Sequence, residues 1–131
     1  MKIDKLYYYR AKVTSVYDGD TFRADVDLGM SITVKNQNFR IADIDTPEVR
    51  GVEREDGLGV AEYVRMILQG QDVLINTMKT GKYGRWIAWV WVPNNSLLNE
   101  DESLGEHLLK IGYAVPYGEE WKGFMKPITN N

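Results

Sequence analysis

Four acidic side chains and two arginines lie in three short stretches whose residue types suit phosphate chemistry. They are Asp18 and Asp20 in YDGDT (17–21), Arg40, Asp45 and Glu48 in FRIADIDTPE (39–48), and Arg85 in GKYGR (81–85). Carboxylates projecting from one turn can present oxygens to a hard cation. Arginine's planar fork can donate two hydrogen bonds to a phosphate. A carboxylate can also orient a water and take its proton.

Each stretch has a plainer reading by itself. DGDT is a tight turn, since Asp and Gly accept turn geometry cheaply. DTPE is a strand end, where Pro47 stops ladder pairing and Asp45 or Thr46 caps the turn that follows. GKYGR is a hairpin connection with Lys82 and Arg85 in solvent. Together, though, they supply carboxylates for a cation, one candidate base and two arginines for a phosphate. Strand parity sharpens the point. Asp43 and Asp45 would share a face with Phe39 and Ile41, which is costly for charges in a core. Either the strand ends before Asp45 or something positive meets that carboxylate. Arg40 has the opposite parity, so reaching Asp45 needs a bend, barrel closure or a metal.

What is absent narrows the chemistry further. There is no cysteine, hence no disulfide framework, thiolate nucleophile or cysteine metal site. The single histidine, His107 in GEHLLKIG, reads as an ordinary surface or half-buried residue of a short helix. A hydrolytic base would therefore be a carboxylate. The net charge of −3 leaves no global basic footprint, so a polyanion must be held by local cations or through a metal. The N-terminus MKIDKLYYYRAKV has no apolar run suited to a signal peptide, and no segment is long enough for a membrane helix. The expectation is a soluble, cytoplasmic protein with no membrane association.

The elements that must position these groups are legible in outline. At 131 residues, 44% hydrophobic and 27% charged, the chain suits one globular domain over 1–131. YYYRAKVTSVY (7–17) reads as a strand. TFRADVDLG alternates, with Phe22, Ala24, Val26 and Leu28 on one face and Arg23, Asp25 and Asp27 on the other. A third strand is expected over 31–43, interrupted near KNQN. VRGVEREDGLG is a polar loop, and a helix follows near 59–69 on Val60, Ala61, Val64, Ile67 and Leu68, stopping at Gly70. Strands at 72–78 and 86–92 flank KTGKYGR. After the acidic loop PNNSLLNEDE comes a short helix, SLGEHLLKIG, and the tail has no clear pattern. Five strands with a helix between the third and fourth predict an α+β fold, mainly β. The form expected is a five-stranded barrel of the oligonucleotide-binding (OB) kind with a short C-terminal helix. Trp86, Trp89 and Trp91 read as core or sheet packing rather than as base-stacking groups.

The order DGDT, FRIADIDTPE, GKYGR and then LLKIGYA resembles the staphylococcal (micrococcal) nuclease, or thermonuclease, family from about Val13 to Ala114. The resemblance implies calcium-dependent endonucleolytic cleavage of DNA or RNA phosphodiesters, leaving 3′-phosphate and 5′-hydroxyl ends. It implies Asp20 and Asp45 as metal carboxylates, Thr46 as the residue offering a backbone carbonyl to Ca2+, and Asp18 as an outer carboxylate. Glu48 would be the general base, with Arg40 and Arg85 the phosphate-clamping arginines. Lys82 and Tyr83 would hold the adjoining phosphate, and the base-stacking position falls on Tyr113 or Tyr117, with Tyr117 the choice made here. The chain departs from the family's pattern in its acidic loops and in ending soon after Tyr117. Together with the missing signal, this suits an intracellular or phage-borne member. No protein partner is implied. A non-catalytic OB-fold module binding single strands is the competing class, and a structural or partner-binding role rests only on the acidic loops.

Overall fold

The computed structural model describes residues 6–124, so Met1–Lys5 of the N-terminal stretch and the tail beyond 124 lie outside it. Strands β1 (Tyr8–Asp18), β2 (Thr21–Gly29), β3 (Ile32–Ile41), β5 (Asp72–Thr80) and β6 (Trp86–Trp91) close into a barrel in the order β1-β2-β3-β6-β5. Two short strands, β4 (Ile44–Asp45) and β7 (Val115–Pro116), pair separately. The helices are α1 (Arg54–Leu68), between β3 and β5, and α2 (Leu104–Lys110). This is the α+β barrel expected from the pattern. Among the described residues no helix is long and apolar enough to cross a membrane.

The alternation in β2 does what period-two patterning requires. Phe22, Ala24 and Val26 point into the barrel, and Phe22 stacks on Phe39 with ring centroids 5.3 Å apart. Leu28, expected on the same face, is 45% exposed because the strand has run past the barrel's end. β3 is continuous where an interruption near KNQN was expected. Asn36 takes a left-handed conformation (φ 55°), and the mismatch is absorbed as a bulge opposite Asp25. The barrel closes through a short parallel seam, Phe39↔Trp86, Arg40↔Ile87 and Ile41↔Ala88. That seam brings Arg40 beside the strand that begins one residue after Arg85.

Helix α1 covers one mouth of the barrel with Val60, Ala61, Val64, Ile67 and Leu68. Burying each large aliphatic chain contributes about 1.5–3 kcal/mol. The helix starts at Arg54, five residues earlier than the expected 59, so REDGLG, the second half of the polar stretch VRGVEREDGLG, is helical rather than loop. Gly57 and Gly59 made this turn look like a breaker, but Gly57 is there to let backbone pack on backbone, as described below. The helix ends as read: Gly70 is left-handed (φ 73°) and its N–H donates to the Val13 carbonyl at 3.0 Å. α2 opens with a capping box. Ser103 Oγ accepts from the Glu106 N–H at 3.2 Å, and Glu106 Oε1 accepts from the Ser103 N–H at 3.1 Å.

His107 is buried, more so than the sequence suggested. Its ring meets the Tyr63 hydroxyl at 2.7 Å and Glu102 Oε1 at 3.0 Å, tying α2 to α1 away from the carboxylate stretches. Trp89 and Trp91 of β6 sit on the barrel's outer face, half-buried, while Ala88 and Val90 fill its interior and Trp86, on their side of the strand, packs against the core. Trp91 packs on Tyr8 and Trp89 Nε1 donates to Asp43 Oδ2 at 3.2 Å.

Candidate active site

The three charged stretches converge at one end of the barrel. The β1–β2 turn carries Asp18 and Asp20, and it is held tightly. A Cβ on Gly19 would come within 2.7–2.8 Å of Val60 and Thr46, so only glycine lets α1 and the DTPE segment close over the turn. Asp18 Oδ1 accepts from the Asp20 N–H at 3.1 Å. Asp20 is buried, and its carboxylate accepts from Thr21 Oγ1 at 3.2 Å, the Thr46 N–H at 3.2 Å and Arg40 Nη2 at 3.5 Å.

β3 stops at Ile41, and a turn with Asp43 left-handed (φ 67°) leads into β4. Both alternatives raised by parity therefore occur together: the strand bends, and a cation meets Asp45. Arg40 is that cation. Its Nη2 bonds Asp45 Oδ1 as well as Asp20, while Nη1 donates to the carbonyls of Ile41 (3.2 Å) and Ile44 (3.1 Å). Its guanidinium lies over the Tyr117 ring at 5.1 Å. Tyr117 arrives there because β7 pairs with β4, and the Gly118 N–H then donates to Asp45 Oδ2 at 2.8 Å.

Arg85 joins from the other side of the seam, its Nη1 donating to Thr21 Oγ1 at 3.3 Å. Tyr83, left-handed at φ 62° in the Lys82–Gly84 turn, lies under the Arg85 guanidinium at 5.5 Å and is 87% exposed. Glu48 and Lys82 are exposed, and their side chains make no hydrogen bond or ion pair among the described residues. The backbone of Glu48 is nevertheless fixed. Its N–H donates to Glu53 Oε1 at 2.9 Å, and Gly57 of α1 packs so closely that a Cβ there would lie 2.0 Å from the Glu48 carbonyl oxygen.

Asp20, Arg40, Asp45 and Thr46 thus touch directly. Asp18 joins through Asp20, Arg85 through Thr21, and Tyr117 and Tyr83 through the two guanidiniums. Thr21, Gly57 and Gly118 were not singled out from sequence. Thr21 lay inside the DGDT motif, whereas Gly57 matters for what packs against it, and Gly118 for a left-handed turn (φ 88°) that aims its N–H at Asp45.

Among the described residues no three His, Cys, Asp and Glu side chains form a metal-binding cluster. The donor chemistry still fits a hard cation. Burial, and then the adjacent Asp20 carboxylate, push Asp18 up to about 7. The hydroxyl of Thr46 and Nε of Arg85 are buried without a hydrogen-bond partner. Oxygen donors and arginines with spare capacity at one site suit a cation together with an oxyanion.

A family model described as staphylococcal nuclease homologue matches residues 38–127. That match begins at Asn38, and the fold brings the earlier Asp18 and Asp20 onto it. A thermonuclease of Staphylococcus hyicus is 32% identical over 108 residues, covering 79% of this chain and 56% of its own length. An uncharacterized protein of Methanocaldococcus jannaschii is 27% identical over 139 aligned positions, covering 88% of this chain and 62% of its own. The chain therefore spans about six-tenths of the length of these relatives.

Proposed function

Because the chain belongs to the staphylococcal nuclease family, we propose that it is a calcium-dependent endonuclease that hydrolyses phosphodiester bonds of DNA or RNA and leaves 3′-phosphate and 5′-hydroxyl ends. One observation carries this reading. Arg40 is held between the carboxylates of Asp20 and Asp45, with Thr46 bonded to the first of them and Tyr117 over the guanidinium.

In this reading Asp20, Asp45 and the Thr46 carbonyl hold Ca2+, with Asp18 outside them. The bound cation supplies Lewis-acid neutralisation of the phosphodiester's charge. Arg40 and Arg85 donate to the phosphate's non-bridging oxygens, where charge grows as a nucleophile approaches. Arg85 Nε, buried and unpartnered, is available for such an oxygen. Glu48 accepts the proton of the attacking water, and its exposure leaves room for that water. Lys82 and Tyr83 hold the adjoining phosphate, and Tyr117 stacks on a base.

The test is digestion of single-stranded DNA with calcium, with magnesium and with chelator, beside a Glu48→Gln control. Calcium-dependent cleavage lost in that variant supports the reading. Products labelled by polynucleotide kinase without prior phosphatase treatment identify the 5′-hydroxyl ends. Folded protein that binds the strand and cleaves it in no metal would instead make this a binding module on the same barrel.

A further inference from the structure

On the outer face of β2 and β3, cross-strand pairs form a ladder that begins at the candidate active site. Thr21 faces Arg40, and the next rung pairs Arg23 with Asn38, while Phe22 and Phe39 between them point inward. A groove of about 510 Å³ lies along this ladder, walled by Tyr17, Thr21, Arg23, Asn38, Tyr83 and Arg85. Among the described residues neither Arg23 nor Arg85 has a carboxylate within ion-pair distance. The same holds for Arg50, whose Nη2 donates to the Tyr17 hydroxyl at the rim (3.3 Å). In a chain of net charge −3, a groove whose lining among the described residues holds Arg23 and Arg85 and no carboxylate, with Arg50 at its rim, suits an anion. Tyr17 is 57% exposed on the same wall, offering a ring face to a planar group. The track ends one rung further out, at Asp25, which accepts from the Asn36 N–H (2.8 Å) and pairs with Lys35 (3.8 Å).

We propose that this groove is a subsite for the nucleotide flanking the scissile phosphate, with Tyr17 against its base and Arg23 and Asn38 on its outer phosphate. The assignment rests on the polynucleotide substrate proposed above. Two features bound it. The shared Thr21 and Arg85 make the groove continuous with the candidate site, and the acid at Asp25 limits it to one nucleotide.

The test uses the full chain and fluorescein-labelled oligothymidylates of increasing length, from the dinucleotide upward. Anisotropy titrations in EDTA read binding without cleavage, and parallel assays in calcium read turnover. Wild type should gain about tenfold in affinity when the chain reaches Arg23, then plateau. Arg23→Ala should remove that step and make the log–log salt dependence shallower by about 0.7. Tyr17→Leu should remove the step at unchanged salt slope, and Tyr17→Phe should keep it. Lys110→Ala, which removes one positive charge from α2, should keep both step and slope. A wild type without the step, or Arg23→Ala with step and slope intact, overturns the subsite. Should Tyr17→Leu fail to fold, the Arg23→Ala result decides alone. Cleavage without the step sinks the subsite and leaves the nuclease reading standing, whereas a step with no cleavage in any metal sinks the nuclease reading and leaves the groove as a nucleotide-binding site of a non-cleaving module.

Discussion

Two glycines of α1, Gly57 and Gly59, should respond to alanine with opposite signs. A Cβ at Gly57 would lie 2.0 Å from the Glu48 carbonyl oxygen, 2.4 Å from its carbon and 2.9 Å from the Pro47 carbonyl oxygen. All three are backbone atoms, so no side chain can swing aside. Restoring an ordinary contact requires the helix and the Pro47–Glu48 segment to part by roughly 1 Å or more. Overpacking of this kind costs about 1–3 kcal/mol, occasionally more, against about 1 kcal/mol returned by alanine's better helix propensity. With a backbone contact of 2.0 Å placing the clash at the upper end of that range, Gly57→Ala should lose about 2 kcal/mol net, or roughly 5–10 °C in melting temperature. Gly59 has nothing within 4 Å of its would-be Cβ, so Gly59→Ala should gain about 0.5–1 kcal/mol. Urea melts followed by circular dichroism measure both. Gly57→Ala should also lose about 100-fold in turnover well below its melting point, because it displaces the segment that carries Glu48. Equal stability of the two variants would refute the packing argument, and a destabilised but fully active Gly57→Ala would refute the placement of Glu48.

Three further outcomes follow from the same contacts. Arg40→Lys should lower turnover by about 100-fold or more and stability by about 1–3 kcal/mol, since one ammonium cannot serve two carbonyls and two carboxylates at once. A lysine variant with native kinetics would remove Arg40 from the chemistry. Calcium at saturating concentration should raise the melting temperature of the wild type and not that of Asp20→Asn; equal shifts in both would move the cation elsewhere. Glu102 is held below the usual carboxylate range chiefly by its hydrogen bond to Lys110 (2.5 Å), and further by His107. Because its folded value is depressed, its stabilisation is complete above the unfolded value near 4.5 and is lost as pH falls through the folded one. The stability gap between wild type and Glu102→Gln should be constant from pH 8 to about 6 and close toward pH 3, and a gap that persists there refutes the ionic origin.

The difference between what patterning shows and what it hides is clearest at residues 39–48. Alternation alone puts Phe39 and Ile41 inside, and that holds. It also assigns Asp45 to the core, a contradiction that patterning can raise but not resolve. The resolution is Asp43, whose left-handed backbone ends β3 and turns Asp45 to the side where Arg40 waits. Asp is among the few non-glycine residues that accept this conformation cheaply, so the signal existed, but only for a reader already asking where the strand bends. Gly57 is the opposite case. By propensity it breaks a helix, and the expected start at 59 followed from that. Its real requirement is the Glu48 carbonyl, a contact set by tertiary packing and not encoded in any window around the glycine. Gly118 is harder still: its left-handed backbone (φ 88°) favours glycine, but nothing local says that its N–H will meet Asp45. Chemistry-bearing side chains are therefore legible from type and order, whereas the backbone groups that aim them depend on which segments the barrel brings face to face.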